Sequence, residues 1–146
     1  MSSTNRGGIL LVVAAVGVLL AGSPAFAVFT PGDLYYASAQ APGNIYNLTG
    51  GGHMTGLAPF AVQGCGSLGQ MAWSADLTTM YSTGYSYNTV FSISASGVVS
   101  SYASVAGPTG IVWTQDDRLL VVSIADGWVW DITNPSHREV VVASGM

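Results

Sequence analysis

Two carboxylates, Asp76 and Asp116, stand 40 residues apart, each three residues after an indole, Trp73 or Trp113, with a hydroxyl residue (Ser74 or Thr114) next to that indole. Carboxylates repeated in this way could form a ring of oxygen ligands for Ca²⁺, a hard cation that takes such donors. The same residues work as turn formers, because an Asp side chain accepts N–H bonds from backbone two residues on. The turn reading is preferred, since a repeated turn explains a repeated Asp without any ligand. It extends to Asp33, Asp117 and Asp126. No cofactor is expected, and Asp76 and Asp116 are the metal candidates, for Ca²⁺. Trp73 and Trp113 are the ligand candidates, because an indole stacks on sugars and other planar groups. The competing reading is that they pack between sheets. Tyr35, Tyr46, Tyr81, Phe91 and Trp130 suit such packing as well.

Other chemistries find little support. His53 and His137 each lack a second His, Cys or Glu at metal-ligand spacing. There is no G-x-S-x-G nucleophile elbow. The run Gly50-Gly51-Gly52 lacks the Lys and the following helix of a phosphate-binding loop. No catalytic residue is assigned, and the reading leans away from an enzyme.

Composition narrows the class further. The 146 residues are 49% hydrophobic and only 7% charged, against roughly 25% charged in average soluble proteins. So apolar a chain is not disordered, and three Lys+Arg cannot make an electrostatic nucleic-acid surface. One Cys, Cys65, excludes a disulfide framework. It falls in Gly64-Cys65-Gly66, read as a loop holding a small buried residue. Nineteen Gly with four Trp and seven Tyr favour an all-β protein rich in turns.

The first segment stands apart. Met1 to Arg6 is polar with one positive charge, and Gly7 to Gly22 is rich in Leu, Val and Ala. Ser23-Pro24 then breaks the helix, and Ala25-Phe26-Ala27 supplies the small residues of a signal-peptidase site. Residues 1–27 are therefore read as a signal-peptide helix, cleaved after Ala27, and the protein as secreted or periplasmic. The competing reading is an uncleaved anchor, the one route by which the chain would meet a membrane.

Residues 28–146 repeat. Ala72 to Ser82 aligns with Val112 to Val122 without a gap at an offset of 40, and Thr89 to Ile93 aligns with Trp128 to Ile132 at 39. Asn44 to Leu48 and Leu34 to Ser38 supply an earlier copy. The units span about 28–66, 67–107 and 108–146. Each reads as four short strands: Gln70 to Ser74, Thr79 to Thr83, Thr89 to Ile93 and Val98 to Tyr102 in the second. In the third they are Gly110 to Thr114, Leu119 to Ser123, Trp128 to Thr133 and Glu139 to Ala143. The first unit keeps little of its innermost strand. A period near 40 with four strands per unit is the signature of a β-propeller blade. The fold class is thus all-β, with about three four-stranded blades in an incomplete ring.

Pro108-Thr109-Gly110-Ile111-Val112-Trp113-Thr114-Gln115-Asp116-Asp117-Arg118-Leu119-Leu120-Val121 resembles the P-x-G-[IL]-x-x-x-x-D-[GD]-x-[LI]-[YL]-V repeat of the NHL and SMP-30/lactonase-like propellers. Asp126-Gly127-Trp128-Val129-Trp130-Asp131-Ile132 resembles their third strand. The resemblance implies a propeller, in families that include enzymes, ligand binders and interaction modules. Its lactonases hold a divalent cation through Glu, Asn and Asp, whereas this chain has one Glu, Glu139, on an outer strand by register.

Propellers close with four to eight blades, so three leave open edges that invite self-association. The expected cause is a longer propeller cut short, with two chains closing a six-bladed ring as the competing one. The function expected is a non-catalytic binding or structural module, meeting a protein or a neutral polysaccharide. The alternative is a remnant of a metal-dependent SMP-30-like hydrolase or lactonase.

Overall fold

The computed structural model describes residues 27–49, 58–62, 64 and 68–143. All but the last residue of the segment read as a signal peptide (1–27), the Gly50 to Gly52 run, His53 and Cys65 lie outside them. Strands β1 (Tyr35–Ala37), β2 (Asn44–Asn47) and β3 (Ala61–Val62) form a first sheet. Strands β4 (Leu68–Trp73), β5 (Thr79–Gly84), β6 (Thr89–Ser94) and β7 (Val99–Ser104) form the second. Strands β8 (Pro108–Trp113), β9 (Leu119–Ser123), β10 (Trp128–Asp131) and β11 (Glu139–Ala143) form the third. Every sheet is an antiparallel meander, each strand pairing with its sequence neighbour. A single turn of 3₁₀ helix, Tyr85–Tyr87, interrupts the β5–β6 connection and closes on Asn88 in the left-handed region.

The meander follows from alternation. In β5 and β6, Met80 and Ile93 face one way and Tyr81 and Ser92 the other, because successive side chains of a strand point to opposite faces. One face of the second sheet packs on the first around Phe29, Ile45, Ala61, Met80 and Ile93. The other packs on the third around Ala72, Val90, Ile111, Leu119, Val121 and Ile132. The two larger sheets approach chiefly through β4 and β8, their first strands. At the far side Arg138 reaches across the junction: it donates to the Ser104 carbonyl and lies 4.8 Å from the Trp130 ring centre. Trp128 and Trp130 share one face of β10, with ring centroids 5.1 Å apart.

Three details depart from the sequence reading. Strands β4 and β8 begin two residues earlier than expected, at Leu68 and Pro108. Both contain a bulge: the register shifts between Leu68 and Met71 and between Pro108 and Ile111. A bulge tolerates a Pro or Gly that would weaken a regular ladder. The ungapped match of Ala72 to Ser82 with Val112 to Val122 also fails. Trp73 pairs with Met80 but Trp113 with Leu119, so the turn of the second sheet holds one extra residue. The register that matters therefore matches Met80 with Leu119 and Tyr81 with Leu120. Finally, Tyr46 joins neither core cluster. It pairs with Tyr36 on the opposite face from buried Ile45, and its hydroxyl accepts the Asn44 amide at 2.9 Å.

Candidate functional site

The turn after the first strand follows one plan in both larger sheets, with one residue more in the second sheet. Ser74 N–H donates to Thr79 at 2.9 Å and Thr114 N–H to Arg118 at 2.8 Å, closing each hairpin. Inside, Leu77 N–H reaches the Ser74 carbonyl and Asp117 N–H the Thr114 carbonyl. Leu77 and Asp117 both take left-handed backbone, at φ 57° and 58°. This is the turn-plus-left-handed-residue geometry common in short hairpin loops. In the first unit Pro31 and Gly32 supply a turn closed by Asp33 N–H on Thr30, with Gly32 at φ 93°. Pro at the second position and Gly at the third are what a type II turn requires.

These turns occupy the candidate carboxylates. Asp76 accepts the Ser74 hydroxyl at 2.6 Å, the Thr78 hydroxyl at 2.9 Å and the Thr78 N–H at 3.1 Å. The Ser74 hydroxyl, followed by the Thr78 groups, holds its carboxyl below the usual range. Asp116 is likewise lowered, first by the Thr114 hydroxyl. Asp117 accepts the Trp113 indole N–H at 3.3 Å. Asp131 is taken up by Thr133 and by an ion pair to Arg118 at 2.8 Å. Among the described residues no three His, Cys, Asp or Glu side chains come together. His137, on the exposed β10–β11 loop, lies 3.6 Å from Glu139.

Asp131 carries a pH prediction. Burial opposes its charge, but the Thr133 hydrogen bonds and the Arg118 guanidinium outweigh it and lower its pKa. A carboxyl lowered on folding stabilises above its unfolded pKa, about 4, and that contribution is lost as pH falls through the folded value. The melting temperature should therefore drop below about pH 4. In Asp131→Asn it should start lower at neutral pH and show a shallower acid decline, read by circular dichroism.

The candidate indoles lie where sheets meet. Trp113 stacks on Tyr81 of the second sheet, with centroids 5.7 Å apart and planes 16° from parallel. Trp73 meets Tyr35 of the first sheet at 6.0 Å and the edge of Phe29 at 6.4 Å. Each junction opens beside its turn into a cleft. One, about 370 Å³, is lined by Ser74, Asp76, Thr78, Tyr81, Trp113 and Asp117. The other, about 240 Å³, is lined by Phe29, Thr30, Gly32, Asp33, Tyr35 and Trp73. The clefts correspond: a turn hydroxyl and an Asp from one unit, a phenol, and the indole of the next. Burial, followed by the neighbouring Tyr102, pushes the Tyr81 phenol up to about 12.

The structure thus brings Asp76 together with Trp113 and Asp33 with Trp73, a partnership across units that aligning the repeats does not reveal. By sequence alone Asp117 is a turn residue and Tyr81 a packing residue. A Trp followed four residues later by an Asp, across a three-residue turn, is the signal that marks Asp117 as the indole's acceptor.

No protein-family model matches the chain, and no curated protein sequence does. Among solved structures, the chain is similar to a selenomethionine-substituted virginiamycin B lyase from Staphylococcus aureus, a β-propeller protein, with a TM-score of 0.53 at 19% identity. The fold is of the β-propeller type. The likeness covers 80% of this chain and 43% of the lyase, so the chain spans less than half of that propeller's length. At this identity the likeness concerns the fold alone. The three sheets are accordingly blades, and the paired clefts lie at blade junctions.

Proposed function

We propose that the chain is an exported β-propeller module that binds a neutral saccharide at its blade junctions without transforming it. The carrying observation is the recurrence of one cleft, indole with phenol, hydroxyl and carboxylate, at both junctions. The face of an indole that is not stacked on protein offers an apolar surface to a pyranose, and carboxylates accept its hydroxyls in charge-assisted bonds. The hydrogen bonds that fix Asp76 and Asp117 make them rigid acceptors rather than mobile acids. Low charge on the chain favours a neutral partner over a polyanion. The leader read in residues 1–27 supports export.

Calorimetric titration of the protein with neutral hexose oligosaccharides tests this reading. Two equivalents should bind per chain, falling to one in Trp113→Ala and in Trp73→Ala. Asp117→Asn, which keeps the acceptor for the indole N–H, should weaken one site about tenfold without altering the melt, the ~1.4 kcal/mol expected for a charge-assisted bond reduced to a neutral one. Absence of heat with every neutral oligosaccharide, or stoichiometry unmoved by both Trp variants, defeats the proposal.

A second reading draws on the likeness to a lyase and on the resemblance to SMP-30-like propellers: the blades belong to a metal-dependent enzyme. Bound Ca²⁺, with lactone turnover lost in Asp76→Ala or Asp116→Ala, would favour it.

A further inference from the structure

The third sheet repeats the second in register, and this makes its outer face legible. Matching Trp73 with Trp113 and Met80 with Leu119 aligns Ala72, Tyr81, Thr83 and Val90 with Val112, Leu120, Val122 and Val129. The first four are buried where the second sheet meets the third. Their counterparts are exposed or half-buried, on the face turned away from the second sheet's core, around a depression of about 210 Å³ that Gln70 of β4 also lines. Val142, across from Val129, extends the same patch. The face that docks a following blade in one sheet is thus repeated, more aliphatic, in the next.

The first sheet has the complementary feature. Ile45, Ala61, Tyr35 and Ala37 pack on the second sheet. The reverse side presents Tyr36, Tyr46 and Val62, with Leu34 beside them, all exposed or half-buried. No Lys, Arg, Asp or Glu belongs to β1, β2 or β3. Asp131, ion-paired with Arg118, and Glu139 bound the patch on the third sheet at one end. Scattered exposed apolar residues need no explanation, but two apolar patches on sheet faces at opposite ends do.

We propose that these faces dock on each other between two copies of this chain, head to tail, the outer face of the third sheet against the outer face of the first. The contact continues the blade-on-blade packing already present twice within the chain. It is a heterologous contact, so it either closes a ring or propagates, and two copies of three blades give six, within the range in which propellers close.

Light scattering after gel filtration tests this on the full chain, expressed with its leader and purified as the host processes it. The wild type should have twice the mass of the processed chain. Val122→Asp and Tyr36→Asp each place a charge on one face, at positions 40% and 41% exposed, and each should run as a folded monomer with an unchanged far-ultraviolet spectrum. Mixed in equal amounts, the two variants should show doubled mass that neither shows alone, because a mixed pair has one junction with both faces intact, although its second junction carries both charges and stays open. A monomeric wild type overturns the proposal, as does an open-ended distribution of masses. Failure of the mixture to associate overturns the head-to-tail arrangement even if each variant alone is monomeric, since a like-face pairing cannot be restored by mixing.

Discussion

Leu119→Ala should lower the unfolding free energy by about 2–5 kcal/mol, the range for a fully buried Leu replaced by Ala. Leu119 is wholly buried between the second and third sheets, against Val121 and Ile132. Its backbone is also committed: the N–H donates to the Thr133 hydroxyl at 2.8 Å and the carbonyl accepts Ile132 N–H at 2.9 Å. With the backbone held on both sides, the strand has little freedom to collapse into the space left by the side chain. The cavity term should therefore add to the lost transfer term. Urea unfolding reads the effect as a lower midpoint at unchanged slope, which separates a stability change from a change in exposed surface. A loss below about 1 kcal/mol would mean that the two sheets are not held by this core.

Gly69→Ala should cost about 1–3 kcal/mol through overpacking, with no buried side chain removed. Gly69 sits in the bulged start of β4, where the second sheet comes nearest the third. A Cβ there would run into the Thr83 hydroxyl and stand 2.9 Å from the Thr109 carbonyl oxygen. Thr83 is buried and donates that hydroxyl to the same Thr109 oxygen at 3.1 Å, so it cannot swing aside without giving up the bond. The carbonyl belongs to β8 and moves only if the blade moves. The expected signature is a lower melting temperature together with altered near-ultraviolet circular dichroism, since the Tyr81–Trp113 stack bridges the same junction. The double change Gly69→Ala with Thr83→Ala should recover part of the loss, as the two sites share one contact.

The blades were legible because period-2 alternation and turn residues are local signals. β9 and β11 fall at Leu119–Ser123 and Glu139–Ala143, as the sequence implies. The starts of β4 and β8 were harder to read, because Gly69 and Pro108 look like breakers until a bulge accommodates them. The one-residue difference between the two first turns was hidden by an apolar run on either side of it. Met80 can be set against Leu120 or Leu119, and Tyr81 against Val121 or Leu120, and only the pairing of Trp73 with Met80 and of Trp113 with Leu119 decides between the registers. The clefts were invisible for a different reason. Their halves lie about 40 residues apart in different units, Asp76 against Trp113, and a repeat alignment superposes equivalent residues instead of bringing partners together. The indoles could be picked out by type, but their neighbours depend on how one blade is rotated against the next.

The most direct test of saccharide binding at the blade junctions is a crystal of the protein soaked with a neutral hexose oligosaccharide. The expected result is sugar density in both clefts, one ring against Trp113 beside Asp76 and Asp117, another against Trp73 beside Asp33. Clefts that stay free of sugar while the ligand occupies another surface would contradict the account.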